Sequence, residues 1–556
     1  MSSSRAAGSE APAAAHRPGG GTDTLVGDAL GRRTFMTTAA LPGAVPVTGA
    51  ATPASAPAST PAPLPGTARS RSGQRPPYAR QSPPAEPDFG PHVKVFGPDM
   101  PVGQVQAALD AAAVGGGRSA LLFRPGRYAV DVRLGPRTSV AGLGAHPDDV
   151  TIDGAVRAAD QRGPGGGDRA ATDSWRAAEN LAILPAGGTQ RWEVSPAAPL
   201  RRVHVRGRLL LCPGPDGACG DGFIADSVVD GDVLDTARQR SLTRDSRVGG
   251  WPDPAGRQVF AGVEGAPAPA FPDPPYSVPG TAPRVTPPGG PLSREKPFLY
   301  VDEGGRYRVF LPALRHGAVG ASWAGGSTPG SSVPIDRFFV ARPSDSVRTL
   351  NKALSQGRHL LLTPGCYELA DTIKVKWAGT VVLGLGHVTL APRQGVVPMT
   401  VADARRVRIA GLRFDAEPSD ADPADTDPAD ADPAAAIVLL EIGARRGGRS
   451  DPRDPASVQD VCFRIGDGGR AATALVVNSD HVLLDHVRVW RAGPGTGEDR
   501  PAGGTAADVV VNGDDVRASG LFVARFRTSG VARNGEGGRS LTGTGGPPDG
   551  PMRSTT

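Results

Sequence analysis

Leu121-Leu122-Phe123-Arg124-Pro125-Gly126-Arg127-Tyr128 returns in the second half of the chain as Leu361-Leu362-Thr363-Pro364-Gly365-Cys366-Tyr367, with one residue dropped before the proline. The likeness extends downstream. Val140-Ala141-Gly142-Leu143-Gly144 is matched by Val382-Leu383-Gly384-Leu385-Gly386, and Val150-Thr151-Ile152 by Val388-Thr389-Leu390. Each copy follows an apolar helical stretch, Val105-Gln106-Ala107-Ala108-Leu109 or Val347-Arg348-Thr349-Leu350-Asn351-Lys352-Ala353-Leu354. Such a helix suits the open end of a solenoid, where it blocks edge-to-edge strand pairing. The whole unit reads as a duplicated lobe.

Beyond the second copy come short apolar runs, among them Val407-Arg408-Ile409-Ala410-Gly411-Leu412-Arg413-Phe414, Ala474-Leu475-Val476-Val477, Val482-Leu483-Leu484-Asp485-His486-Val487 and Asp508-Val509-Val510-Val511. Asn, Asp and Gly turns separate them, and their alternation puts an apolar ladder inside each coil. Their spacing is irregular, so periodicity alone leaves a sandwich or a propeller open. Between the copies, the Pro-rich stretch 267–291 reads as an extended connector. Phe298-Leu299-Tyr300-Val301 and Tyr307-Arg308-Val309-Phe310 then form a hairpin turning at Gly304-Gly305, with the lobe boundary near residue 335.

A chain of 556 residues is long enough for more than one domain. Gly 76 and Pro 57, with 21% charged and 5% aromatic residues, fit turn-rich β architecture better than helical bundles. The net charge of +5 comes mostly from Arg scattered through loops, without the basic stripe and interleaved aromatics of a nucleic-acid binder. No run of about 18 apolar residues suggests a membrane span. Cys212, Cys219, Cys366 and Cys462 match no zinc spacing. Cys212 and Cys219 are close enough for a local disulfide, with unlinked thiols the equal alternative, and Cys366 and Cys462 sit in apolar runs where a buried thiol is the default.

Residues 1–90 are dominated by Ala, Pro, Gly, Ser and Thr and read as a leader and linker unable to bury a core. Gly31-Arg32-Arg33-Thr34-Phe35-Met36, followed by a mildly apolar stretch and Ala50-Ala51-Thr52, has the order of a twin-arginine export signal, so secretion by that route is expected.

Several strings are specific enough to name a family: Ala120-Leu-Leu-Phe-Arg-Pro-Gly-Arg-Tyr128, Ala141-Gly-Leu-Gly-Ala145, Gly222-Phe-Ile-Ala-Asp-Ser227, Gln258-Val-Phe-Ala-Gly-Val-Glu-Gly-Ala-Pro267, Ser293-Arg-Glu-Lys-Pro-Phe-Leu-Tyr-Val-Asp302 and Val510-Val-Asn-Gly-Asp-Asp515. They resemble bacterial members of glycoside hydrolase family 55. The resemblance implies an all-β fold of two tandem right-handed parallel β-helix lobes of the pectate-lyase type, at 91–335 and 336–540, with a cleft between them. The second lobe reads as incomplete and 541–556 as a tail. It also implies exo-hydrolysis of laminarin-like β-1,3-glucan with inversion, which needs one carboxylic acid and a water held by a base. No metal or organic cofactor is implied, the partner is a β-1,3-glucan or related polysaccharide, and a monomer is expected.

The family's catalytic pattern is broken here. Where the resemblance expects a water-positioning Gln stands Pro196, and an expected Ser is replaced within Cys219-Gly220-Asp221. Ala524 stands where a carboxylate would serve the water, and Arg533 where a Trp is expected. The expected acid, about ten residues after Glu536, is replaced by Ser540-Leu541-Thr542-Gly543-Thr544-Gly545-Gly546-Pro547. Glu536 is the one nearby carboxylate left to recruit, against a solvated turn residue. The expectation is impaired or lost catalysis, with a frameshifted gene or a non-catalytic glycan-binding or structural β-helix as alternatives.

Other candidates have simpler readings beside them. The acidic run 415–432 suits a hard cation but lacks an EF-hand's order, and a solvated insertion explains it. Trp251, Trp323 and Trp490 can stack on sugars, with Trp251 and Trp490 the preferred pair, or belong to the core. His481 and His486 flank a strand rather than share a helical face, so no metal site is assigned. Asp514-Asp515 follows the turn signal Asn512-Gly513.

Overall fold

The computed structural model describes residues 86–158, 175–193, 197–211, 222–235, 241–252, 258–269, 284–285, 291–393, 395–416, 437–443, 450–465, 471–493 and 508–527. The leader, Pro196, Cys212, Cys219, Arg533, Glu536 and most of the acidic run lie outside them.

Strand pairing defines the architecture. In the first lobe Val93–Phe96, Ser119–Phe123, Thr138–Gly142, Arg176–Leu184, Leu200–Val205, Gly222–Ala225, Ser241–Arg244 and Gln258–Ala261 each pair in parallel with the next along the chain. The second lobe repeats this through Phe338–Ala341, His359–Leu362, Val381–Pro392, Arg408–Asp415, Ala456–Ile465, Val482–Gly493 and Arg517–Arg527. A second parallel sheet, Ile373–Val375 to Val509–Val511, backs it. Beyond the first pair of each lobe, which a helix separates, successive parallel neighbours follow one another without a crossover helix and make a parallel β-helix, the all-β class read from the sequence. The irregular strand spacing has a simple cause: chain segments of different length, such as 417–436 and 494–507, separate strands that still pair rung to rung.

Inside each coil the alternating residues form the core. Leu121, Phe123, Val140, Ile152, Ala178 and Val203 fill the first bore, and Leu360, Val382, Ile409, Val458 and Leu484 the second. A helix packs on each solenoid: Val102–Val114 buries Val105, Leu109 and Ala112, and Val347–Ser355 buries Val347, Leu350, Ala353 and Leu354. Ser346 caps the latter, accepting from Thr349 N at 3.2 Å. Between the lobes the predicted hairpin is present as Phe298–Val301 and Tyr307–Pro312, extended by Gly330–Pro334 into an antiparallel three-stranded sheet.

The duplicated motif has a duplicated physical cause. The Tyr128 hydroxyl meets Phe96 O at 3.1 Å and Arg124 O at 2.8 Å, and the Tyr367 hydroxyl meets Ala341 O at 2.8 Å and Thr363 O at 3.1 Å. The buried phenol thus ties its turn to the preceding coil in both lobes. The preceding glycine must be small: a Cβ on Gly126 would lie 2.6 Å from Pro98 Cβ, and one on Gly365 2.1 Å from Pro343 Cγ.

At the corner of each main sheet, stacked residues adopt left-handed φ. They are Asn180 (51°), Arg202 (57°), Asp226 (49°) and Asp245 (46°) in the first lobe, and Gly411 (67°), Asp460 (50°), His486 (53°) and Gly520 (75°) in the second. Asn, Asp and His tolerate this region, whereas Arg adopts it less readily, so the neighbours of Arg202 must hold it there.

Gly365→Ala is expected to destabilise the chain by about 2 kcal/mol through overpacking against Pro343. A lower denaturant midpoint at unchanged slope is the readout, and a midpoint equal to wild type would show that the proline yields freely.

Candidate functional site between the lobes

The residue just before each left-handed corner points out of its coil, toward the other lobe. Register places Glu179, Arg201, Ala225 and Arg244 in one such column of the first lobe. Ala410, Gln459, Asp485 and Ser519 occupy the corresponding column of the second. Where the columns meet, charge is buried. Arg201 reaches Asp460 at 2.7 Å, Asp485 at 3.0 Å and Glu295 at 3.1 Å. Arg244 reaches Asp485 at 2.7 Å and Glu295 Oε2 at 3.0 Å. Lys296 bridges Glu179 at 2.5 Å and Asp460 at 3.4 Å. The connector segment carrying Glu295 and Lys296 therefore wedges between the lobes.

Burial alone would neutralise these groups, and their partners decide otherwise. Against that burial, Asp460 and Asp485 hold the Arg201 guanidinium above its ordinary range. Burial also opposes ionisation of Asp460, yet Arg201, Lys296 and the His486 hydrogen bond hold its carboxyl well below the carboxylate range. Glu295 is likewise lowered, chiefly by Arg244 once burial is overcome. Burial lowers the pKa of His486, whose Nδ1 lies 2.8 Å from Asp460 Oδ1. Its ring stacks on Phe223 of the first lobe at 4.3 Å, with Phe522 at 5.9 Å and Trp175 at 6.3 Å. His486 and His481 thus serve different places, since His481 Nδ1 meets Asp515 at 3.0 Å.

Beyond the corner the second lobe's strands present a further outward wall. One column runs Cys366, Thr389, Arg413, Cys462, Arg488, Phe522, and the next runs Asp415, Arg464, Trp490, Ala524. From the first lobe Arg118 donates across to His387 Nδ1 at 3.1 Å and Thr389 Oγ1 at 3.2 Å. This wall, with the half-buried Trp175 just ahead of Arg176–Leu184 in the first lobe, is the candidate cleft. Beside it Leu122, Trp175, Glu179, Lys296, Leu383 and Gly386 line a cavity of about 40 Å³. That is space for a water or so, not a sugar ring.

The predicted site residues fall in different places. Trp490 is half-buried on the cleft wall, with the Arg464 guanidinium 5.6 Å from its ring centroid. Ala524 occupies the next rung of that column by register. Trp251 lies in the first lobe's core, 5% exposed and edge-on to Phe260 at 5.0 Å, because its strand end turns into the bore, and no face is left for a sugar. Trp323 is also buried. Cys366 and Cys462 correct the buried-thiol expectation: they are half-exposed because they occupy outward positions of their rungs. Sequence reasoning missed Arg201, Arg244, Glu295, Asp460 and Asp485. The available signal was a lone charge inside an apolar strand run, as in Val458-Gln459-Asp460-Val461.

Removing one partner from such a cluster leaves buried charge uncompensated. Glu295→Ala is expected to cost about 3–5 kcal/mol, measured by chemical denaturation, and a loss below about 1 kcal/mol would show that water already screens the arginines.

Comparison with known proteins agrees with this geometry. The model of the LAM55 pectate lyase-like domain matches residues 338–542. An exo-β-1,3-glucanase of Streptomyces sp. (strain SirexAA-E / ActE) is 42% identical over 463 residues, covering 82% of this chain and 72% of that protein. The solved structure of sacteLam55A from Streptomyces sp. SirexAA-E superposes with a TM-score of 0.64 at 40% identity, covering 79% of this chain and 75% of that one. A variant of sacteLam55A in complex with glucose gives 0.67 at 40% identity, covering 80% and 78%. At 42% identity to that glucanase over 463 residues, and with its parallel β-helix superposing on the solved structures, the chain belongs to glycoside hydrolase family 55.

Proposed function

We propose that this chain is an exported, β-1,3-glucan-directed protein of the exo-β-1,3-glucanase type whose hydrolytic step is weakened. What carries the reading is the column Asp415, Arg464, Trp490, Ala524 on the cleft wall. The family resemblance calls for a carboxylate at the fourth rung, beside Trp490, to serve the attacking water. Alanine supplies no proton acceptor. With no base at that position, inverting attack loses a contribution of roughly 10² to 10⁴. Pro196 and the residues after Glu536 bear on the same chemistry from the sequence side.

Trp490 gives the glycan a place to bind. A half-buried indole beside a rung with a small side chain suits the apolar face of a sugar ring. A second reading, binding without hydrolysis, draws on the same two residues, Trp490 and Ala524. Export rests on Arg32-Arg33 and its apolar sequel.

The deciding experiment incubates the purified chain with laminarin, measures released glucose, and sediments it with insoluble β-1,3-glucan. Co-sedimentation is expected, reduced by Trp490→Ala, with glucose release at least about a hundredfold below that of the Streptomyces enzyme. Ala524→Glu is expected to raise the rate. Release within tenfold of the relative would overturn the weakened step, and loss of both binding and release would overturn the glucan-directed reading itself.

A further inference from the structure

Away from the cleft, on the first lobe, His204 is held between two carboxylates. Its Nδ1 lies 2.6 Å from Asp148 Oδ1 and its Nε2 3.1 Å from Asp230 Oδ1. A neutral imidazole has one N–H, so only the imidazolium can donate to both. The three residues come from three different coils: Asp148 from the single turn Pro147–Asp149, His204 from Leu200–Val205 two coils on, and Asp230 from Val228–Asp235 in the next. Arg206 adds a donor to Asp148 at 3.0 Å, and His146 Nδ1 lies 3.7 Å from the other Asp148 oxygen.

Against this cluster sits the connector's turn 321–326. Trp323, 2% exposed, places its ring 5.6 Å from that of His204 and 5.0 Å, edge-on, from that of His146. Its carbonyl lies 3.2 Å from His146 Nε2, and its indole N–H donates to Asp226 O at 2.7 Å. The Ser322 hydroxyl donates to Asp226 Oδ2 at 2.9 Å, and Arg202 joins Asp226 at 3.2 Å to Thr328 Oγ1 at 2.8 Å. This turn belongs to the same connector that carries Glu295 between the lobes.

We propose that His204, with Asp148 and Asp230, forms a pH-responsive clasp that fastens the Trp323 turn of the connector to the first lobe in mildly acidic solution and loosens as the solution turns alkaline. Loss of the His204 proton leaves a ring lone pair against a carboxylate, and the charge beside the indole disappears. The geometry is supported by the direction of titration. Burial works against the His204 charge, but Asp148 and Asp230 outweigh it and raise its pKa. Its contribution is therefore complete below the unfolded value of about 6.5 and is lost as pH climbs through the raised folded value.

Two neighbours set the rest of the profile. Burial works against Asp148, but His204 and Arg206 bring it to about 2, so its share is lost only as pH falls toward that value. Asp226 is raised to about 7 by burial and by Glu295, against Arg202. Its proton is bound more tightly in the folded chain, so its contribution also declines between roughly pH 4 and 7.

The test compares the full chain with His204→Gln from pH 5.5 to 8.5, by denaturant unfolding and by acrylamide quenching of tryptophan fluorescence. Because Asp226 titrates in both proteins, the difference between them isolates His204. The wild type is expected to hold its larger advantage in the folding equilibrium at pH 5.5 and a smaller one at pH 8.5, because the His204 pKa is raised in the folded chain. Quenching should rise with pH in the wild type and be high throughout in the variant. If His204→Gln does not fold, Asp230→Asn replaces it and is expected to flatten the same profile. A gap independent of pH, or quenching that does not change with pH in the wild type, overturns the clasp.

Discussion

Parallel strands stacked about 4.8 Å apart force like positions of successive coils into columns, and the buried pairing of Arg201 and Arg244 with Asp485 between the lobes depends on that register. Arg201 and Arg244 stand two rungs apart with Ala225 between them, and the alanine leaves the space into which Glu295 reaches both guanidinium groups. A one-residue slip of a single strand would turn its column residue into the bore and bring a core residue out. The left-handed corners act against such a slip. Asn180 donates to Gly142 O at 2.9 Å and Gly144 O at 2.8 Å, tying its corner to the preceding coil.

Burying so much charge where apolar residues would pack is not an obvious route to stability, since desolvation offsets much of the Coulomb gain. The cluster's better-supported contribution is orientational. An apolar seam tolerates sliding, whereas Arg201 can satisfy Asp460, Asp485 and Glu295 together in one docking only. The apolar part of the same seam, Leu122, Leu143, Leu299, Leu361, Leu383 and Ala410, supplies nondirectional burial around it. Attraction and register thus come from different residues of one interface.

Much of the fold was legible because its determinants are local. The Pro-Gly-x-Tyr repeat, the helices ahead of it and the hairpin at Gly304-Gly305 each lie within a few residues, and each is present. The interlobe cluster was illegible because its members lie on strands far apart in the chain, and nothing near Asp460 announces Arg201 as its partner. Trp251 and Trp490 show the same limit on a smaller scale. Composition cannot tell an indole in a bore from one on a wall, since the choice is one position of strand alternation.

That separation between local and assembled determinants also means that residues which hold a scaffold together differ from residues which serve chemistry on its surface. Motif glycines, corner residues and bore residues answer to packing, and a change at any of them disturbs neighbours on adjacent rungs. Ala524 follows Trp490 by register on the last described strand, where the ladder's backbone bonds do not depend on which side chain it carries. On the function proposed above, a carboxylate missing at that rung costs the fold little and hydrolysis much. Family and fold therefore constrain what this cleft can bind more firmly than what it can catalyse.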